Sequence, residues 1–220
     1  MNIKEHEYEP VWGLPEKLPE GETILWQGRP DMRAFARRAL HLPGLATYFA
    51  VLVGARVVSV LMAGASLPVT ALDATKFIAP SVLVIALGVL FAWGVARTTA
   101  YTITNRRVVM RFGIALSMTA NLPYALVQSA AAKLHADGSG DVSMALQKPH
   151  RISYIFFWPH ARPWHFTRPQ PTLRGIADAA AVAQILGRAL AGAASVPVRP
   201  VPSLDGARAG GGDLPQPQAA

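Results

Sequence analysis

The 220-residue sequence contains no cysteine, which removes disulfide frameworks, thiolate zinc sites and thiol nucleophiles from consideration in any compartment. It is also poor in charge. Asp, Glu, Lys and Arg make up 15% of residues, against about a quarter in an ordinary soluble domain. Acids are scarcer than bases, 13 against 21, leaving a formal net charge of +8. Catalytic signatures are missing too: there is no G-x-S-x-G elbow, no H-E-x-x-H, no Walker loop with its lysine, and no glycine fingerprint opening a helix after a strand. Asp137 and Asp141 flank the "GSG" of a turn without an acid or base partner. No enzymatic activity is expected. The cations stand beside apolar runs rather than on one face with aromatic platforms, so nucleic acid is not an expected partner either.

What the chain does have is apolar length. Hydrophobic residues make up 51% and the mean hydropathy is +0.27, the composition of an integral membrane protein. Between Lys76 and Arg97 lie 20 uncharged residues, FIAPSVLVIALGVLFAWGVA, which at 1.5 Å per residue match a hydrocarbon layer of about 30 Å. Pro80 is placed in the first turn of this helix and Trp93 near its far interface. An earlier run, GLATYFAVLVGARVVSVLMAGASL, is interrupted only by Arg56. The 41 mostly polar residues before it argue against a signal peptide. Residues 42–66 and 77–96 are therefore predicted transmembrane helices, joined by a short periplasmic loop at 67–76. Arg29, Arg33, Arg37 and Arg38 precede the pair and Arg97, Arg106, Arg107 and Arg111 follow it, whereas Lys76 is the cation noted for the loop. Both termini are thus expected in the cytoplasm.

The N-terminal arm occupies residues 1–41 and a cytoplasmic domain residues 97–194. "YTIT" and "VVMRF" read as a hairpin around "NRR", followed by strand candidates "QSAAAKLHA", "DVSMAL", "RISYIFFW" and "PWHFT", with turns at "DGSG", "KPH" and "PHARP" between them. In "ADAAAVAQILGRALAG", Val182, Ile185, Leu186, Ala189 and Leu190 follow one helical face, with Asp178 placed to cap the start and Gly192 the end. Residues 195–220, rich in Pro, Gly and Ala, read as a disordered tail. The fold class is an α+β membrane protein: a two-helix transmembrane hairpin plus a small sheet domain closed by a C-terminal helix.

"YTITNRRVVMRFG" and the earlier "GETILWQGRP" resemble bacterial pleckstrin-homology-like (PH-like) domains of membrane proteins, which implies a β-sandwich or barrel. With "GLPEKLPEGETILWQGRPD", "ARTTAYTITNRRVVMR", "GSGDV" and "WPHARPWHFTRPQPTLR", the chain over about residues 8 to 192 is similar to the PuhB-type photosynthetic complex assembly proteins of phototrophic bacteria. That resemblance implies a non-enzymatic assembly factor for the reaction centre and core light-harvesting complex, in the inner (photosynthetic, intracytoplasmic) membrane. Its implied partners are reaction-centre and core-antenna polypeptides, with membrane lipids around it and self-association left open. A membrane-anchored lipid-binding or envelope-sensing module, unrelated to photosynthesis, is the alternative.

Several residues are candidate contact sites. Arg97, Arg106, Arg107 and Arg111 suit acidic headgroups or an acidic partner, or serve only as topology signals on a solvated turn. Arg56, inside the first span, must snorkel, pair with an acid on another helix or thin the bilayer, and it marks a helix-contact face together with the small residues Gly54 and Gly88. Trp158, His160, Arg162 and Trp164 form an interface candidate, against which stands simple core packing. His160 and His165 are expected on opposite faces of one strand, which argues against a joint metal site. His41, at the mouth of the first span, is either an axial ligand for a chlorophyll magnesium or a solvated histidine. No resident cofactor or metal is expected, and transient bacteriochlorophyll contact has no motif behind it.

Overall fold

The computed structural model describes residues 12–14, 16–147 and 152–194. The predicted tail and the "KPH" turn lie outside the described residues. The order is β1 (Ile24–Gly28), α1 (Met32–Arg38), α2 (Leu42–Met62), α3 (Leu67–Thr98), β2 (Ala100–Thr104), β3 (Arg107–Phe112), β4 (Met118–Pro123), β5 (Val127–Leu134), β6 (Gly140–Leu146), α4 (Tyr154–Phe157), β7 (Thr172–Ile176) and α5 (Ala179–Ala194).

Two antiparallel sheets, β1-β2-β3-β4 and β5-β6-β7, enclose the main core. Tyr101, Ile103, Val108, Met110 and Phe112 alternate along β2 and β3 onto the main core, and the other face of β2 is covered too, with Ala100, Thr102 and Thr104 also buried. α5 closes the open end, with Val182 and Leu186 buried and Ile185, Ala189 and Leu190 packed beside them. This is the predicted face. Asp178 Oδ1 accepts the Ala181 N–H at 3.2 Å, so the expected cap forms, although the helix runs past Gly192 to Ala194.

α2 and α3 are long and apolar enough to cross a membrane, by length and composition. None of the most apolar window of α2 and only 17% of that of α3 is buried, so both present apolar surface outward. Three boundaries differ from the sequence reading. The connection is Ala63–Ser66, with Gly64 at φ 80°, and the expected loop 67–76 is helix, because Pro68 suits a first turn and Ser66 is extended at the N-cap. Pro80 accordingly sits inside α3, where it lacks the N–H for the Lys76 carbonyl. The third difference is the arm: residues 24–28 form β1, paired antiparallel with β2 from Trp26↔Ile103 to Gly28↔Tyr101. The helical hairpin is therefore an excursion between two neighbouring strands of one sheet, and both its ends lie on the same side.

Between β6 and β7 the expected strands "RISYIFFW" and "PWHFT" are absent. Ser153 caps a short helix, α4, and the following loop makes one bridge, Ala161↔Pro171. The aromatic cluster there lets rings pack in several directions, which a two-faced strand forbids.

Candidate functional site

The "TITNRR" turn is built by its own polar side chains. Thr104 Oγ1 accepts the N–H groups of Arg106 (3.1 Å) and Arg107 (3.0 Å), and Tyr124 Oη donates to the Thr104 carbonyl. Asn105 then clamps the segment before β1: its Nδ2 donates to the Gly21 carbonyl (2.9 Å) and its Oδ1 accepts the Thr23 N–H (3.1 Å). Arg107 Nε donates to Glu22 at 2.8 Å. Burial raises the pKa of Glu22, but hydrogen bonds from Arg107 and Thr104 and the charges of Arg107 and Arg106 outweigh it and hold the carboxyl below its usual value. β2 leaves α3 at Ala100 and spends five residues before turning, about 15 Å at a strand's rise. Arg106 and Arg107 thus sit at the strand end remote from α3, locking β1 to β2. Arg111 lies at the near end, opposite Ala100 in register, and Arg97 stacks 5.3 Å from the Trp93 ring.

His160 is 1% exposed, so it is not a surface contact. Its Nδ1 lies 2.7 Å from Tyr101 Oη and its Nε2 3.4 Å from Thr99 Oγ1, while Tyr101 Oη also accepts the Arg174 N–H at 3.2 Å. Counting protons sets the tautomer: Tyr101 has one hydrogen to give, so Nδ1 accepts and Nε2 carries the proton. Burial, helped by the charge of Arg174, pushes the imidazole down to about 3, and burial pushes the Tyr101 hydroxyl above the ordinary phenol value. Phe35 of α1 and Phe112 of β3 wrap the same ring at centroid distances of 6.2 and 5.2 Å. His165, by contrast, caps its own loop, its Nδ1 2.8 Å from the Pro163 carbonyl.

Above this network opens a cleft of about 640 Å³. Arg38 and His41 form one wall where the chain enters α2, β5 and β6 supply Lys133 and Asp141, and the loop after α4 supplies Trp158, Arg162 and Trp164. Arg174 lines its base and is held by Asp141 at 3.7 Å and by the Pro159 carbonyl at 3.2 Å, while Asp141 Oδ1 also accepts the Gly175 N–H. Asp141 is thereby occupied within the fold. Arg38, which also pairs with Asp137 at 3.8 Å, Lys133 and Arg162, which donates to Gln170 Oε1 at 3.0 Å, give the cleft positive character, and Trp158 and Trp164, 53% and 85% exposed, give it aromatic walls. Such a surface suits an extended, acidic or aromatic segment. The structure thus joins three of the four residues of the aromatic candidate with Arg38 and Lys133, which sequence patterning missed because they lie on different elements. Among the described residues no cluster of His, Asp and Glu could hold a metal ion.

The helical candidates fall elsewhere. Arg56 pairs with Asp73 of α3 through Nε (2.7 Å) and Nη2 (3.2 Å), beside Phe77 and with Lys76 also on Asp73. Its acid comes from its own hairpin rather than from another polypeptide; Asp73 was legible in the sequence but fell in the segment read as loop. At Gly88 an added Cβ would meet the Leu42 side chain at 2.7 Å, so it faces α2, whereas a Cβ added at Gly54 would have open space within 4 Å, so that position does not face α3.

The family model for "Bacterial PH domain" matches residues 42–190. The chain is 39% identical over 193 residues to a Rhodobacter capsulatus protein described as "Uncharacterized 23.7 kDa protein in puhA 5'region", covering 86% of this chain and 89% of that protein. No solved structure matches.

Proposed function

Because this chain belongs to the bacterial PH domain family, we propose that it is a membrane-embedded, non-enzymatic assembly factor of the PuhB type. In this reading α2 and α3 cross the inner membrane of a phototroph as a hairpin with both termini in the cytoplasm. Their lipid-exposed flanks receive single-helix polypeptides, and the cleft beside the start of α2 holds the soluble end of such a client until the reaction centre and its core antenna close. No cofactor is assigned.

The observation that carries the reading is the position and chemistry of the cleft. It lies at the junction of domain and helix, with Arg38 and His41 adjoining Leu42 and with Trp158 stacked 5.5 Å from Phe91 of α3. A client emerging from the bilayer beside α2 meets aromatic and cationic side chains within one helical turn of the apolar span. The description of the relative as a protein of the puhA 5' region supports a photosynthetic setting for the client. The same-side pairing of β1 and β2 supports the hairpin topology, and the arginines flanking it support the cytoplasmic orientation.

Affinity purification of tagged full-length chain from mildly solubilised photosynthetic membranes, with mass spectrometry of everything retained, tests this directly. Reaction-centre or core-antenna polypeptides in stoichiometric amounts are expected, and an Arg38→Glu, Arg162→Glu variant should lose at least about tenfold of them, the equivalent of 1.4 kcal/mol. Retention of lipid alone would point to a lipid-binding module and overturn the assembly reading.

A further inference from the structure

We infer that the domain is itself seated in lipid: two apolar loops on its α3 side, around Ile114–Leu116 and around Ile155–Trp164, dip into the bilayer interface. This rests on the reading that α2 and α3 span the membrane, and it adds a second mode of attachment to the same surface.

Apart from Trp12, Ile24 and Leu25, the exposed large apolar residues of the domain gather on two loops. Leu116, Ile155 and Trp164 are 79%, 84% and 85% exposed, and Ile114, Phe156 and Trp158 are between 41% and 53% exposed. Phe156 packs on the buried Phe112 at 5.9 Å, and Trp164 reaches Phe166 at 6.2 Å, which lies on Tyr154 at 4.7 Å. Exposed apolar side chains gathered on two loops in this way mark an unfilled contact.

Its continuity with the helix names the occupant. Trp158 stacks on Phe91, and the Ile114 side chain covers Gly94, where an added Cβ would lie 3.1 Å from Ile114 Cδ1. Phe91 is seven residues before the end of α3 at Thr98, about 10 Å down the helix axis. It belongs to the uncharged 20-residue run. A side chain that touches Phe91 from outside the helix therefore lies beside the cytoplasmic end of the apolar run, next to Ala92 and Val95, which pack on Phe35 of α1. Tryptophan and phenylalanine favour that interfacial layer, where an apolar ring and a polar edge are both satisfied. Cations stand on the same elements: Arg97 over Trp93 near the end of α3, Arg111 beside Phe112 on β3 and Arg162 in the loop after α4, and cations near a membrane surface favour anionic headgroups.

The test uses full-length chain reconstituted into phosphatidylcholine and phosphatidylglycerol vesicles whose acyl chains carry bromine at a shallow or a deep position. The chain has five tryptophans, so one variant keeps only Trp93, on α3, and another only Trp164, the rest being replaced by Phe. Both are expected to lose emission to bromolipid to a similar extent, Trp164 more strongly to the shallow label. Trp93 quenched with Trp164 unaffected overturns the inference while leaving the spanning helices in place. Neither quenched overturns the spanning reading with it. Trp164 unquenched by lipid but shielded from aqueous acrylamide when core-antenna polypeptide is added would leave the cleft a client surface alone and overturn the lipid assignment. Because replacing Trp26 or Trp158 can disturb packing, unmodified chain is also labelled with a photoactivatable phospholipid. Adducts at 114–116 and 155–164 are expected, and their absence beside adducts on α3 counts against the proposal.

Discussion

Replacing Tyr101 by Phe should destabilise the domain out of proportion to the single oxygen removed. The ring stays, so no large cavity opens and the cost falls on the partners. The Arg174 N–H loses its acceptor at 3.2 Å and His160 Nδ1 loses its donor at 2.7 Å, and Tyr101, His160 and Arg174 are all buried. Each stranded group costs about 1–3 kcal/mol, so the variant should lose about 2–6 kcal/mol, a large share of the roughly 5–15 kcal/mol that a domain commonly has. Thermal unfolding of full-length chain in detergent, followed by near-ultraviolet circular dichroism, measures the loss. His160→Phe supplies the second edge of a double-mutant cycle, because with Nδ1 gone the hydroxyl has less to lose. Coupling of about 0.5–3 kcal/mol between the two substitutions is expected. A loss below about 0.5 kcal/mol for Tyr101→Phe, with additivity in the cycle, would refute the hydrogen-bonded chain through His160.

The same ring sets a pH dependence. His160 stays unprotonated in the fold down to about pH 3 but takes a proton near pH 6.5 once unfolded, so its contribution is fully present above about pH 6.5 and is lost as pH falls. Stability should drop by about 1.4 kcal/mol per unit between roughly pH 6.5 and 5, a slope that His160→Phe removes and that denaturant titrations at several pH values will read. Arg107→Ala strands the buried Glu22 carboxylate and should cost about 1–3 kcal/mol, whereas Arg106→Ala should stay within about 0.5 kcal/mol; equal effects in melting experiments would contradict the clamp. Arg56→Leu leaves Asp73 with only the looser Lys76 contact at 3.7 Å and should lower the amount of chain accumulating in membranes, while adding Asp73→Leu should restore it, as quantitative blotting of membrane fractions will show. Since the chain has no cysteine of its own, Gln27→Cys with Thr102→Cys, whose side chains already touch at 2.9 Å, should cross-link under mild oxidation; failure to form the disulfide would argue against β1 pairing with β2 across the helical hairpin.

Much of this architecture was legible in one dimension. Helical length and apolarity at residues 77–96, the hairpin around Asn105 and the face Val182-Ile185-Leu186-Ala189-Leu190 are local patterns, and local patterns reach the fold intact because hydrophobic periodicity reports which side will be buried. The similarity of "GETILWQGRP" and "YTITNRR" to one family likewise pointed to the PH-like domain. Yet nothing in those two motifs says that they touch, and in the fold Glu22 and Asn105 join them across a 70-residue excursion through α2 and α3.

Contact was what only the tertiary structure decided. Arg106 and Arg107 look alike in sequence, but one lies at a turn and the other closes on a buried acid, because a strand partner supplied from before the helices puts Glu22 beside it. Arg56 found its acid at Asp73 only once the expected loop had wound into helix. His160 and Trp158 stand two positions apart in one aromatic motif, and packing buries the first under Tyr101 while it lays the second on Phe91. Residue type and period set which side chains leave water. Which of them meet depends on chain closure between distant segments, and that is a property of the folded molecule alone.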